Sequence, residues 1–180
     1  MAKNKEIILG VCGSIAAYKS CEIIRKLKEQ RFNVTVVMTK EAEEFITLLT
    51  MQTLSQNRVY RGMFDLLEEE FDPEHVSLAE KSSLILVAPA TANIIGKIAS
   101  GICDDLLTLV IMAAKSPVLI APAMNEGMWR NKILQENINK LKKFGFIFIE
   151  PEKGKLADGK VGVGRLASIE AIITKVKNIL

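Results

Sequence analysis

Residues 122–129 read Pro-Ala-Met-Asn-Glu-Gly-Met-Trp and hold the chain's only tryptophan, Trp129. They follow an apolar run, Val118-Leu119-Ile120-Ala121, that has the pattern of a buried strand. Asn125 stands four residues past that strand end, and the bulky pair Met128-Trp129 comes one helical turn later. An amide that both donates and accepts, backed by large apolar side chains, reads as a ligand clamp. The only histidine is His75, in Glu74-His75-Val76-Ser77-Leu78-Ala79. It is the one side chain here whose unperturbed pKa lies near neutrality. Without a second histidine or a serine motif, metal and triad chemistry fit poorly. A single base or orienting group beside a bound cofactor is a role one histidine can fill. A satisfied core or surface histidine is the plainer alternative.

Three further segments carry chemistry. Gly10-Val11-Cys12-Gly13-Ser14 closes one strand and opens a helix, where free N–H groups and the helix dipole attract phosphate. Gly13 permits a tight turn and Ser14 adds a hydroxyl; a turn without a ligand is an equal alternative. The segment is not G-x-G-x-x-G, and the second strand ends in Met38-Thr39-Lys40 with no acid for a ribose diol. Both absences argue against NAD and for a mononucleotide. Thr91 and Asn93 follow Ala88-Pro89-Ala90 at the ligand-binding edge of an open sheet, where either caps a helix or hydrogen-bonds a flat heterocycle. Residues 154–165 hold four glycines and read as a lid or as a plain flexible loop.

The elements that must position these residues alternate along the chain. Ile7–Val11, Val34–Met38, Leu84–Ala88, Val118–Ala121 and Phe146–Ile149 are apolar throughout, which predicts parallel strands buried on both faces. Between them, apolar residues spaced three and four apart predict helices over Ala16–Leu27 and Asn131–Lys143, with a final helix capped by Ser168. Glu41–Leu49 reads as a helix start with Phe45 and Ile46 turned inward. Residues 62–74 read as a loop ending at Pro73, with Glu68, Glu69 and Glu70 in solvent. The stretch Ile94–Ala114 is apolar on nearly every face. It reads as a helix pair broken near Gly101 with Asp104 as a cap, or as an oligomer contact. The whole, residues 1–180, is expected to form a single α/β domain: an open doubly wound parallel sheet, a Rossmann-like or flavodoxin-like three-layer sandwich.

Composition excludes several classes. Of 180 residues, 49% are hydrophobic and 25% charged, with a net charge of +3 and no basic stripe, so nucleic acid is not an expected partner. Three cysteines without a C-x-x-C pair suit a reducing compartment, and with one histidine they leave no structural zinc set. No apolar run reaches the roughly 20 residues of a membrane helix. No signal-peptide pattern is present. A soluble, cytoplasmic protein is the expectation, with no membrane partner.

Taken together, the motifs resemble the homo-oligomeric flavin-containing cysteine decarboxylases. The resemblance rests on Gly-x-x-Gly-Ser-Ile-Ala-Ala-Tyr-Lys at 10–19, Met-Thr-Lys at 38–40 and His75-Val-Ser-Leu-Ala. It continues through Ala-Pro-Ala-Thr-Ala-Asn at 88–93, Gly-Ile-x-Asp-Asp-Leu-Leu-Thr at 101–108 and Pro-Ala-Met-Asn-x-x-Met-Trp at 122–129, so it spans nearly the whole chain. It implies FMN, with Gly13, Ser14 and Thr39 near the phosphate and ribityl chain and Thr91, Asn93, Ile94 and Ala123 near the flavin. It implies that Asn125 holds the cysteinyl carboxylate, with Met128 also at the substrate. His75 would act beside the flavin at a subunit boundary, in a trimer or a dodecamer.

The implied reaction oxidises the substrate thiol to a thioaldehyde, which gives the carbanion left by CO₂ a place to delocalise. Within the family, the resemblance is to the branch that converts 4′-phosphopantothenoylcysteine to 4′-phosphopantetheine for coenzyme A. Lys155, Lys160 and Arg165 make the lid basic and, with Gly162-Val163-Gly164-Arg165, favour that branch and its phosphorylated substrate. A cysteine ligase, fused to this domain in many bacteria, is the expected separate partner.

The chain departs from the family at the lid, which usually reads Ala-Cys-Gly and here reads Ala157-Asp158-Gly159. Asp158 takes the role of acid if a closed lid buries it. Otherwise the reaction stops at the enethiol, as in the peptidyl-cysteine decarboxylases of lantibiotic maturation. The third reading is a non-catalytic regulatory flavoprotein.

Overall fold

The computed structural model describes residues 5–63 and 74–180. Eight strands are present among them: β1 (Glu6–Val11), β2 (Asn33–Met38), β3 (Val59–Tyr60), β4 (Leu84–Ala90), β5 (Val118–Pro122), β6 (Ile147–Phe148), β7 (Glu152–Lys155) and β8 (Val161–Arg165). The helices are α1 (Ser20–Glu29), α2 (Leu48–Ser55), α3 (Glu74–Lys81), α4 (Ala92–Ser100), α5 (Leu106–Ala113), α6 (Glu126–Trp129), α7 (Lys132–Lys143) and α8 (Ile169–Ile179).

The first six strands form one sheet in the order β3-β2-β1-β4-β5-β6. Every pairing is parallel, with Ile7 opposite Val34 on one side and Leu84 on the other. The period-2 alternation of a strand sends Ile7, Leu9 and Val11 into one core and Ile8 and Cys12 into the other. The first core is closed by α1, α2 and α8, with Ile23, Ile24, Met51 and Ile172 fully buried. The second is closed by α3, α4, α5 and α7 through Leu78, Ile95, Leu107 and Ile138. Each fully buried Ile or Leu contributes roughly 1.5–3 kcal/mol. The result is the expected doubly wound, Rossmann-like three-layer α/β sandwich. The chain builds outward from β1 to β3, then crosses back to β4. The strand order therefore reverses between β1 and β4, and their C-terminal ends open a crevice.

Several local expectations are corrected. The first helix begins as a 3₁₀ turn, Ile15–Lys19, before α1. Glu41–Leu49 is not one helix: a short 3₁₀ turn spans Lys40–Ala42, and α2 starts only where Thr47 accepts the Thr50 N–H at 3.2 Å. Phe45 is 46% exposed, not inward, whereas Ile46 packs on the first core. In the 94–114 stretch, Gly101 ends α4 in the left-handed conformation (φ 70°) as expected, but the cap of α5 is Asp105 and not Asp104. Asp105 and Thr108 form a reciprocal capping box, while Asp104 pairs with Lys97 at 2.7 Å.

Most of that apolar stretch is buried within the chain; Ile102 and Met112 are its exposed large members. Of the strand expected at 146–149, only Ile147–Phe148 joins the sheet. The glycine-rich loop is instead an antiparallel hairpin, β7–β8. The expected loop over 62–74 falls largely outside the described residues, as do Glu68, Glu69 and Glu70. Among the described residues no helix is long and apolar enough to cross a membrane.

Candidate active site

Three backbone hydrogen bonds carry the sheet's alignment past its strand ends. Thr39 N donates to Val11 O (3.0 Å), Cys12 N to Pro89 O (3.3 Å) and Ala123 N to Ala90 O (3.0 Å). They bring the loops after β1, β2, β4 and β5 to the crevice at the β1/β4 reversal.

Each loop places a polar group there for a local reason. Ser14 is extended, and its hydroxyl accepts the Ala16 N–H (3.3 Å), starting the 3₁₀ turn. The Gly13 N–H has no acceptor among the described residues. A side chain at Gly13 would place its Cβ 2.4 Å from Glu41 Cβ, so only glycine lets the turn pass. Thr91 caps α4 through the Ile94 N–H (3.4 Å), which settles the choice between Thr91 and Asn93 as cap. Asn125 caps α6, its Oδ1 accepting the Gly127 N–H at 2.7 Å. The cap fixes the amide's orientation and leaves Nδ2 to donate elsewhere. It donates to Asp158 Oδ2 at 3.1 Å.

The hairpin roofs the crevice. At its base, Met124 N donates to Gly164 O (2.9 Å), and Glu126 Oε1 accepts the Val163 N–H (3.3 Å) and two donors of Arg130. Gly164 has φ 148°, and a Cβ there would lie 2.2 Å from Met124 O. At its tip, Leu156–Lys160 turn back through Gly159 (φ 83°), and Asp158 Oδ1 accepts the Lys160 N–H at 3.0 Å.

Under this roof lies a cavity of about 760 Å³, within the roughly 300–1,000 Å³ of small-molecule sites. It brings together Gly13, Ser14, Thr91, Ala123, Asn125, Met128, Lys155, Asp158 and Arg165, all expected from the sequence. A second cavity of about 210 Å³ shares Gly13, Thr91 and Met128 and adds Thr39, Asn93 and Ile94. Two expected residues are not brought in. Lys160 is exposed and lines neither cavity, because the turn at Gly159 points it away; His75, in the first turn of α3, also lines neither. Two residues unassigned by sequence, Tyr18 and Lys19, are on the wall. Both lay within the Gly10–Lys19 motif, but helical spacing gave no reason to turn them inward. The 3₁₀ turn does so.

The electrostatics suit an anionic ligand. Lys19, Lys155 and Arg165 line the large cavity, and none is in an ion pair among the described residues. Burial, then the nearby Arg165 guanidinium, pulls the Lys19 ammonium below the usual lysine value. Beside the small cavity, burial pushes Asp105 up, but hydrogen bonds from Lys97 and Thr108 outweigh it and hold the carboxyl below the usual range. Cys12 also lines that cavity; burial raises its thiol to about 12, so it is a protonated, inert wall and not a nucleophile. Thr39 is 8% exposed, and its hydroxyl has no partner among the described residues. A buried hydroxyl left unpaired beside a cavity marks a place for a ligand oxygen. Asp158 is exposed, so this conformation does not supply the burial that its expected role as an acid requires.

A family model described as "Flavoprotein" matches residues 1–180. A coenzyme A biosynthesis bifunctional protein CoaBC of Borreliella burgdorferi is 47% identical over 178 residues, 99% of this chain and 45% of that protein. A probable phosphopantothenoylcysteine decarboxylase of Streptococcus mutans is 42% identical, covering 97% of this chain and 98% of its own length. The chain thus spans less than half of the bifunctional relative and nearly all of the other. Among solved structures, a PPC decarboxylase mutant complexed with pantothenoylaminoethenethiol matches with a TM-score of 0.88 and 31% identity, covering 98% of both chains. The FMN binding protein AtHal3 (TM-score 0.84, 31% identity, 98% and 96% covered) and the peptidyl-cysteine decarboxylase EpiD (0.82, 31%, 98% and 100%) have the same fold.

Proposed function

The chain belongs to the flavoprotein family, and on that premise we propose that it is an FMN-dependent carboxy-lyase converting 4′-phosphopantothenoylcysteine to 4′-phosphopantetheine in coenzyme A biosynthesis. One observation carries the reading beyond the family. A single cavity gathers the Asn125 amide and three cations, Lys19, Lys155 and Arg165, that form no ion pair among the described residues. An amide donor suits a carboxylate, and a cluster of cations suits a phosphate. The coenzyme A substrate has both groups, whereas a C-terminal cysteine peptide needs only the first.

The residues present fit FMN. The open Gly13 N–H and the Ser14 hydroxyl offer donors for its phosphate, and the unpaired Thr39 hydroxyl offers one for phosphate or ribityl oxygens. The end of β2 has no acid that a dinucleotide's ribose would call for. Thr91, Asn93, Ile94 and Ala123 would border the ring. Bound there, FMN supplies the acceptor for the hydride leaving the thiol-bearing carbon.

The chain's own residues do the rest. Asn125 Nδ2 orients the cysteinyl carboxylate. The hairpin and Met128 exclude water, which strengthens each polar contact beneath them. His75 places or deprotonates the group being oxidised. Because His75 lines neither cavity of its own chain, it would serve a neighbouring subunit's site, in a homotrimer or a dodecamer of trimers. Asp158, returning once CO₂ has left the Asn125 amide free, would give the enethiol carbon its proton. The cysteine ligase that precedes this step would act as a separate or covalently joined partner.

The test is product analysis. FMN-loaded protein is incubated with phosphopantothenoylcysteine and, separately, with a peptide ending in cysteine, and products are read by mass spectrometry. The expected outcome is decarboxylated, fully reduced phosphopantetheine from the first and little turnover of the second. An enethiol product, or faster turnover of the peptide, would move the assignment to the peptidyl-cysteine branch. A protein that binds no FMN and releases no CO₂ would leave only a non-catalytic role.

A further inference from the structure

We propose that Asp158 is the chain's own occupant of the subsite for the substrate's carboxylate, so that hairpin tip and substrate exclude each other there. This rests on the reading that Asn125 Nδ2 receives the cysteinyl carboxylate.

The Asn125 amide has little freedom. Its Oδ1 is committed to the Gly127 N–H at 2.7 Å, so Nδ2 points one way, and what it meets is a carboxylate oxygen, Asp158 Oδ2, at 3.1 Å. A side-chain carboxylate and a substrate carboxylate are the same acceptor chemistry on the same donor. Both cannot hold the better position on one amide nitrogen without bringing two negative groups within a few ångströms.

The hairpin is built so that its tip can yield while its base stays. The base is tied to Met124 and Glu126 by the Gly164 carbonyl and the Val163 N–H. The tip has its own closed turn (Leu156 N to Lys160 O, 2.8 Å; Gly159 N to Leu156 O, 3.0 Å). Outside that turn, the Asp158 carboxylate's one hydrogen bond among the described residues is the one from Asn125. Lys155 and Arg165 on the hairpin strands and Lys19 on the facing 3₁₀ turn line the same cavity as Asp158, with Glu152 and Glu22 near Lys19.

In the free protein, then, Asn125 is held in its binding rotamer by a stand-in, and substrate binds by exchange for it. One exposed like charge at about 4 Å is worth a factor of about 5 in affinity. The test uses the FMN-loaded protein and titration calorimetry. One ligand is phosphopantothenoylserine, which keeps the carboxylate but has a hydroxyl in place of the thiol and does not turn over. The other is 4′-phosphopantetheine, which lacks the carboxylate.

Asp158→Ala and Asp158→Asn are each expected to bind the serine analogue about 5-fold more tightly than wild type and phosphopantetheine unchanged. A purely structural role for the tip would move both ligands together. Unchanged or weaker binding of the analogue in both variants, or an equal change for both ligands, would overturn the proposal. Asn125→Ala separates the two levels: a large loss for the analogue alone upholds the reading on which this rests. No loss there refutes that reading and the proposal with it.

Discussion

Lys19 lies on the cavity wall beside Arg165, partly buried, with Glu152 and Glu22 nearby but in no ion pair with it among the described residues. Two like charges held together favour a dianionic ligand over water. Lys19→Met keeps most of the aliphatic stem and removes the charge. The expected result is a KM for phosphopantothenoylcysteine about tenfold higher, the loss of one hydrogen bond to a charged group, with a much smaller change for the dephosphorylated substrate. Steady-state kinetics on the two substrates read the difference, and an equal rise for both would remove Lys19 from phosphate recognition. At this scale, legibility followed locality. Asn125 and Thr91 were readable because a polar residue a fixed few positions past a strand end lands in the crevice whatever the rest of the chain does. Lys19 was not, because its direction depends on a 3₁₀ turn that no periodicity announces. Lys160 was overcounted because the turn at Gly159, one residue earlier, decides where it points.

The hairpin roofs the cavity, and it was the least legible element. Glu152-Lys153-Gly154-Lys155 has neither the branched residues nor the apolar alternation of a strand. Its pairing is imposed from outside, by Met124 and Glu126 on the loop and helix it covers. Glu126 is the polar part of that attachment. Its carboxyl is held below the usual glutamate value, first by Arg130 and then by the Val163 N–H. A depressed carboxyl contributes above its unfolded value, about 4.3, and the contribution is lost as pH falls through the lower folded value. Hydrogen exchange at the Val163 amide should therefore show the base intact at neutral pH and loosening only as pH falls below the unfolded glutamate value. Glu126→Ala should show it loosened at neutral pH, with KM raised about two- to fivefold and FMN affinity unchanged. Protection of Val163 equal to wild type would mean that the backbone bond from Met124 holds the base alone. By contrast the long helices and buried strands were legible, since their signals repeat over many residues. Errors fell where one side chain sets a boundary, as Thr47 does for α2 and Asp105 for α5.

The whole molecule gathers its polar loops at one reversal of strand order, yet leaves His75 on the first turn of α3, a helix packed on α5 away from both cavities. The sequence indicated a shared site only through family resemblance, because no spacing within one chain encodes a neighbour's position. A site shared between subunits has a distinctive consequence that can be tested. His75→Asn and Asn125→Asp should each abolish decarboxylation with FMN retained. Unfolding and refolding the two variants together should restore activity at about a quarter of the sites, by random assortment around a closed ring. Light scattering should give a trimer or its multiple. No recovery in confirmed mixed oligomers would place both residues in one chain's site.

The rim of the sheet bears on how such an assembly can grow. Both outer strands, Val59–Tyr60 and Ile147–Phe148, are only two residues long. Neither offers the row of free backbone donors and acceptors onto which another chain could add a strand. Among the described residues, the six-stranded sheet therefore gives another copy no long edge on which to add a strand, and so no template for open-ended, fibre-like stacking.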